Sequence, residues 1–116
     1  MQETRKDPKT EHPVSVIACD LKGTVTAYEG GAEELFGYTE NEVVGKMSVA
    51  QFHVPERVPE LVPRLLKTAV ETGKFEEEVT LVRKDGTQFP ARLTVRPQYR
   101  EGDHVGYMGM TERLDW

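Results

Sequence analysis

The chain has 116 residues, the size of a single domain with one modest core. It is 37% apolar and 30% charged, with no apolar run near the ~20 residues of a bilayer span, so it reads as a globular protein with no membrane partner. The net charge of −5 matches five acids without a base over residues 29–42, which argues against nucleic-acid binding by bulk electrostatics.

Residues 1–13 are polar, balanced in charge and bracketed by Pro8 and Pro13. They carry no signal-peptide pattern and read as a flexible arm or the end of an incoming linker. A helix ordered by a partner is the alternative, with almost nothing apolar to bury. The one cysteine, Cys19, leaves no internal disulfide, which predicts a cytoplasmic protein. The domain proper is expected over 14–113, with 114–116 starting an exit linker.

Val14–Cys19 is a short β-rich run. Asp20-Leu21-Lys22-Gly23 has the residues of a turn, an Asx acceptor and a glycine for positive φ. Thr24–Tyr28 returns to make a hairpin. Residues 30–45 then hold two very short helices, closed by Gly37 and Gly45. Thr39 and Glu42 form a T-x-x-E capping box, and Tyr38 and Val43 have the spacing of a hydrophobic staple. One-turn helices are unstable alone, so these are expected to pack as a lid on the sheet. Met47–Phe52 reads as a further short turn of helix.

Pro55, Pro59 and Pro63 recur every four residues. Proline suits a first turn and breaks an interior one. The long helix is therefore expected to start near Pro55, kink, and run regularly from Pro63 to Gly73. Leu65, Leu66, Ala69 and Val70 are its expected buried stripe.

Residues 75–83 and 87–99 read as long strands around Lys84-Asp85-Gly86. Phe89, Ala91, Leu93 and Val95 alternate with Gln88, Pro90, Arg92, Thr94 and Arg96, the mark of a half-buried strand. A three-residue loop with Gly86 as the bulge pairs Leu81 with Phe89, Val79 with Ala91 and Phe75 with Val95. It also sets Glu78 beside Arg92 on the wet face. A two-residue Asp-Gly turn would instead set Glu78 opposite Leu93, so the longer loop is preferred. Its cost is Glu77 opposite Leu93, where the carboxylate must lie at the rim or face a polar pocket. His104–Thr111 is the last strand, with Val105, Tyr107 and Met110 as packing residues. The sum is an α+β domain: a five-stranded antiparallel sheet with short helices and one longer helix, between strands two and three, on one face.

Five blocks carry a resemblance. They are Asp20-x-x-Gly23; Ala32–Tyr38 with Glu42-Val43-Val44-Gly45; His53-x-Pro55-Glu56-Arg57; Arg83–Gly86 with Phe89; and Val105–Arg113. In order and spacing the chain resembles a PAS domain, the sensory module of signalling proteins, from about Val14 to Arg113. The resemblance implies strand order 2-1-5-4-3 and a pocket between sheet and helices. It also implies an exit motif Asp-Ile-Thr, where this chain has Gly109-Met110-Thr111, and an asparagine near Glu29 and alanine at Gly31. That aspartate helps couple pocket to outgoing helix in many members, and this chain has Gly109 in its place.

The candidate pocket lining is Ile17, Leu35, Phe36, Val44, Met47, Phe52, Val62, Leu66, Phe75, Val79, Leu81, Phe89, Leu93 and Tyr107, with Val25 and Val70 beside them. The same side chains serve equally well as solid core. His53 is the haem ligand that residue type suggests. In haem-binding relatives, however, the ligand histidine falls near Val62 or Pro63, and neither binds iron. His12 and His104 fall in the tail and at a turn, and no His, Cys, Asp or Glu pair has metal-site spacing. Met47, Met108 and Met110 read as core filler before axial ligands, and Cys19 as a buried thiol before a reactive one. The flavin photoreceptors of the family carry a cysteine in an Asn-Cys-Arg-Phe-type block, and Ser48–His53 has none. Haem and flavin thus lack their usual motif residues, and the cofactor is unassigned.

Glu77 with Tyr107 or His53 could serve as an acid–base set on a small isomerase-like scaffold, but nothing in the sequence fixes their geometry. There is no phosphate loop or nucleophile motif. The expected function is a non-catalytic PAS sensor or interaction module. It would homodimerise by PAS–PAS contact and relay ligand- or partner-dependent shifts to an output domain such as a kinase or cyclase. The alternative is a small-molecule sensor holding flavin, haem by a nonstandard ligand, or an apolar metabolite.

Overall fold

The computed structural model describes residues 14–115, so the arm expected over 1–13 and Trp116 lie outside the described residues. Along the chain come β1 (Val14–Asp20), β2 (Val25–Gly30), α1 (Ala32–Phe36) and α2 (Glu40–Val43). Two 3-10 turns follow, Val49–Phe52 and Pro55–Arg57, then α3 (Val58–Thr72), β3 (Phe75–Val82), β4 (Gln88–Arg100) and β5 (Asp103–Arg113). The strands form one antiparallel sheet in the order β2-β1-β5-β4-β3. This is the order implied by the resemblance, with the helices between β2 and β3.

Asp20 makes the first turn: its Oδ1 accepts from the N–H of Lys22 and of Thr24, both at 2.9 Å. The β3–β4 hairpin has the register expected of a three-residue loop, with Leu81 opposite Phe89, Val79 opposite Ala91 and Phe75 opposite Val95. The loop closes where Arg83 N–H donates to Thr87 C=O at 2.9 Å. Glu78 and Arg92 meet across the wet face at 3.4 Å. Glu77 lies at the rim, held by Arg64 of α3 through bonds of 2.6 and 3.1 Å. β3 is an edge strand, and the acidic run Glu76-Glu77-Glu78 discourages a further strand from pairing with it.

Two expectations are corrected. The long helix starts at Val58 and passes through Pro63 without interruption. Pro63 removes one bond, to the carbonyl of Pro59, and both prolines are exposed, so water can satisfy that carbonyl. The buried row is Leu61, Leu65 and Ala69, while Leu66 is half-buried and Val70 is 42% exposed. The helix meets the sheet along a single i, i+4 row, and the misplaced start hid Leu61. In β5, Val105 and Met110 are exposed at 37% and 44%. The inward positions are instead Tyr107, Gly109 and Thr111, and the two glycines of this strand blur its alternation.

The core divides into two clusters. One gathers Ile17, Val25, Tyr28, Ala32, Leu35, Phe36, Val43, Phe52, Leu81, Phe89 and Ala91 beneath the short helices. The other gathers Leu61, Leu65, Ala69, Phe75, Leu93 and Val95 beneath α3. Phe36 ties the first together, its ring centroid 4.7 Å from Phe52 and 5.7 Å from Phe89.

On β5, Gly106 packs directly against the backbone of β1. A Cβ there would stand 2.0 Å from the carbonyl oxygen of Cys19, whereas at Gly109 it would meet only ordinary contacts of 3.7–3.8 Å. Gly106→Ala is expected to cost at least ~3 kcal/mol in chemical denaturation. Gly109→Ala is expected to be neutral or to gain up to ~1 kcal/mol, because alanine loses less strand entropy than glycine.

Candidate functional site

The lid is built from its ends inward. Gly37 takes φ of 87° and closes α1 as the sequence predicts, its N–H donating to Glu33 C=O. α2 instead ends on Val44, which is extended, and Gly45 at φ 78° belongs to the turn that Lys46 N–H closes onto Val43 C=O. The capping box is complete: Glu42 N–H donates to Thr39 Oγ1 and Thr39 N–H donates to Glu42 Oε1. Glu33 of α1 accepts from Glu40 N–H at 2.8 Å, which links the two helices. Tyr28 below donates its hydroxyl to the carbonyls of Ala32 at 2.9 Å and Tyr38 at 3.1 Å. Burial pushes that phenol up to about 12.

The carbonyl end of α1 is held by the distant hairpin. Arg83 Nη1 donates to Leu35 C=O and Lys84 N–H donates to Phe36 C=O, both at 2.8 Å. The Lys84 ammonium also pairs with Glu42 and holds that carboxyl below its usual range.

Beneath this lid a cavity of about 60 Å³ lies along the seam between the two core clusters. Ile17, Phe36, Phe52 and Leu81 line it from one cluster, and Leu65, Leu93 and Val95 from the other. Cys19, Val49, His53, Leu66, Tyr107, Gly109 and Thr111 complete the wall. Of the residues expected to line a pocket, Ile17, Phe36, Phe52, Leu66, Leu81, Leu93 and Tyr107 stand on this wall. Leu35, Phe75 and Phe89 are buried in the clusters instead, and Val44, Met47 and Val79 pack against them half-buried. Val62 is half-buried on α3, off the wall.

The missed lining residues had a readable signal. Cys19 follows Ile17 by two, Val95 follows Leu93 by two, and Gly109 and Thr111 follow Tyr107 by two and four, so each shares its strand's inner face.

His53 is 8% exposed and its Nδ1 is sealed without a partner. Its backbone pairs with Leu81 of β3, so the ring is set into the wall by the sheet edge. Burial pulls its pKa down to about 4, which leaves the ring neutral at physiological pH. Burial pushes the Cys19 thiol up, as expected for an unreactive thiol. Glu77 is bound to Arg64 at the rim and does not line the cavity with His53 and Tyr107.

Among the described residues no group of three His, Cys, Asp or Glu could hold a metal ion. Pockets for larger organic ligands run to ~300–1,000 Å³. A cavity of 60 Å³ therefore does not fit haem or flavin. No helix among the described residues is long and apolar enough to cross a membrane.

A family model described as the PAS fold matches residues 11–114. The chain belongs to the PAS family. This PAS domain is 29% identical over 100 residues to two-component system protein A of Emericella nidulans, covering 86% of the chain and 15% of that protein. It thus spans under a sixth of that relative's length. It superposes on the PAS domain of a protein from Colwellia psychrerythraea with a TM-score of 0.83 at 24% identity, covering 87% of this chain and 86% of that one. The blue-light activated histidine kinase of Erythrobacter litoralis matches with a TM-score of 0.73 at 21% identity, over 89% of this chain and 33% of that one. The domain is a sensory module of the kind carried by signalling proteins.

The buried His53 makes an acid-sensitive fold. Between pH 6.5 and about 4 the unfolded chain takes up a proton that the folded ring refuses. Stability is complete above pH 6.5 and falls as the pH drops towards 4, by about 3 kcal/mol at 1.36 kcal/mol per pH unit. Urea unfolding across this window is expected to show the slope, and His53→Phe to flatten it.

Proposed function

We propose that this PAS domain is a non-catalytic sensor in the cytoplasm that dimerises and passes a ligand- or partner-dependent shift to an attached output domain such as a kinase. The observation that carries the reading is the family match over residues 11–114, together with a relative in which this region is one module of a longer two-component protein. The cavity supplies a place where an input can act. Its wall includes Tyr107, Gly109 and Thr111 of β5, the strand that leads to the end of the domain.

The dimer contact is expected on the outer sheet face. Inner and outer positions alternate along the two central strands. Ile17 and Gly109 face the cavity, so their neighbours Val16 and Met110 pair on the far side, as do Ala18 and Met108. Val14 and Met110 leave 39% and 44% of their surface exposed there. This apolar stripe runs along the middle of the sheet, flanked by Arg92 and Arg96 of β4. The buried free thiol of Cys19 agrees with a reducing compartment.

Light scattering coupled to gel filtration is expected to give a dimer mass that Met110→Glu reduces to a monomer, with the melting temperature unchanged. A wild-type monomer at every accessible concentration would remove the dimerisation role.

A further inference from the structure

The cavity combines an apolar wall with one neutral, incompletely paired ring. None of its lining residues carries a formal charge, and nine of them are hydrocarbon or phenyl side chains. An ionic ligand would lose its hydration there without a partner. Of the two nitrogens of His53 only Nδ1 is sealed and unpartnered. An unpaired acceptor is tolerated in a protein interior better than an unpaired N–H. The neutral ring therefore keeps its proton on Nε2. His53 contributes a single N–H to a wall otherwise formed by Ile17, Leu81, Leu93 and their neighbours. The volume, 60 Å³, is well above the ~10–15 Å³ that a water needs and well below the ~150 Å³ of a cavity that admits benzene. Scaled from benzene's six carbons, that leaves room for roughly two to four non-hydrogen atoms.

We propose that the cavity takes a short-chain ketone, aldehyde or alcohol: a small, uncharged molecule whose oxygen accepts from His53 Nε2–H while its carbons fill the seam. This rests on the sensor reading above and names the ligand class for it. The hydroxyls of Thr111 and Tyr107, also on the wall, rotate to accept from a hydroxyl ligand. So few atoms limit affinity to the micromolar range or weaker. Such a site responds to millimolar changes and releases its ligand quickly, as a metabolic or solvent sensor requires.

The test is a titration of the chain with acetone, followed by methyl NMR of Ile17, Leu81 and Leu93 and by the nitrogen-15 spectrum of the His53 ring. Saturable methyl shifts are expected, with the Nε2–H resonance moving and Nδ1 remaining unprotonated. His53→Phe is expected to weaken binding at least tenfold, and His53→Gln, which keeps an N–H donor, to restore much of it. The ring spectrum needs no variant, so a failure of His53→Phe to fold leaves the test standing. Equal binding by wild type and His53→Phe, or saturable methyl shifts without movement at Nε2, overturns the anchor. If acetone leaves the methyls unmoved while xenon shifts them, the cavity takes an apolar occupant, this ligand class is wrong and the sensor reading survives. If neither moves them, the cavity is not an input site, this proposal falls, and the sensor reading keeps only its partner-dependent input.

Discussion

The lid depends on two hydrogen bonds made to the carbonyl end of a short helix. A helix leaves its last carbonyls without internal partners, and α1, with five residues, is nearly all ends. Its carbonyls at Leu35 and Phe36 are taken by Arg83 and Lys84, from a hairpin tip 48 residues further along the chain. That docking fixes Phe36 where it meets Phe52 and Phe89, and so fixes the roof of the cavity. The second helix is then placed by the first, through Glu33 and the capping box. An intrinsically unstable pair of turns becomes one rigid wall because a tertiary contact supplies what the local sequence lacks.

The two central strands connect the cavity to the outside. On β1 and β5, residues facing inward (Ile17, Gly109, Thr111) alternate with residues facing outward (Val16, Met108, Met110). Whatever presses on the inner face is one backbone thickness from the apolar stripe. No aspartate stands at Gly109, the place where the family exit motif would put it, so coupling through that side chain is unavailable. Gly106, packed against the Cys19 carbonyl, leaves no room for a side chain between these paired strands.

Most of the architecture was legible from local rules. The hairpin register followed from one requirement, that Glu78 meet Arg92 and Leu81 meet Phe89, and the capping box marked the start of α2. What the sequence misplaced was set by solvent and by neighbours. Pro63 looked like a break because its lost bond seemed to have no substitute, but an exposed carbonyl finds water. Val105 and Met110 looked like core because they are apolar, while Gly109, with no side chain to bury, occupies the inward position between them. The side chains expected to line a pocket divide between the cavity wall, the solid core and its half-buried margin for a related reason. Periodicity reports which face a residue takes, and only packing between two clusters decides where that face fails to close.

The seam has a mechanical meaning as well as a chemical one. Atoms around a void lack neighbours on one side, and the folded state occupies more volume than close packing requires. Hydrostatic pressure favours whichever state is smaller, so it acts on such a fold by collapsing or flooding the gap. Here the gap lies between a lid half of the core and a long-helix half, with lining residues from both. Small changes of volume are therefore felt first as a shift of one half of the domain against the other.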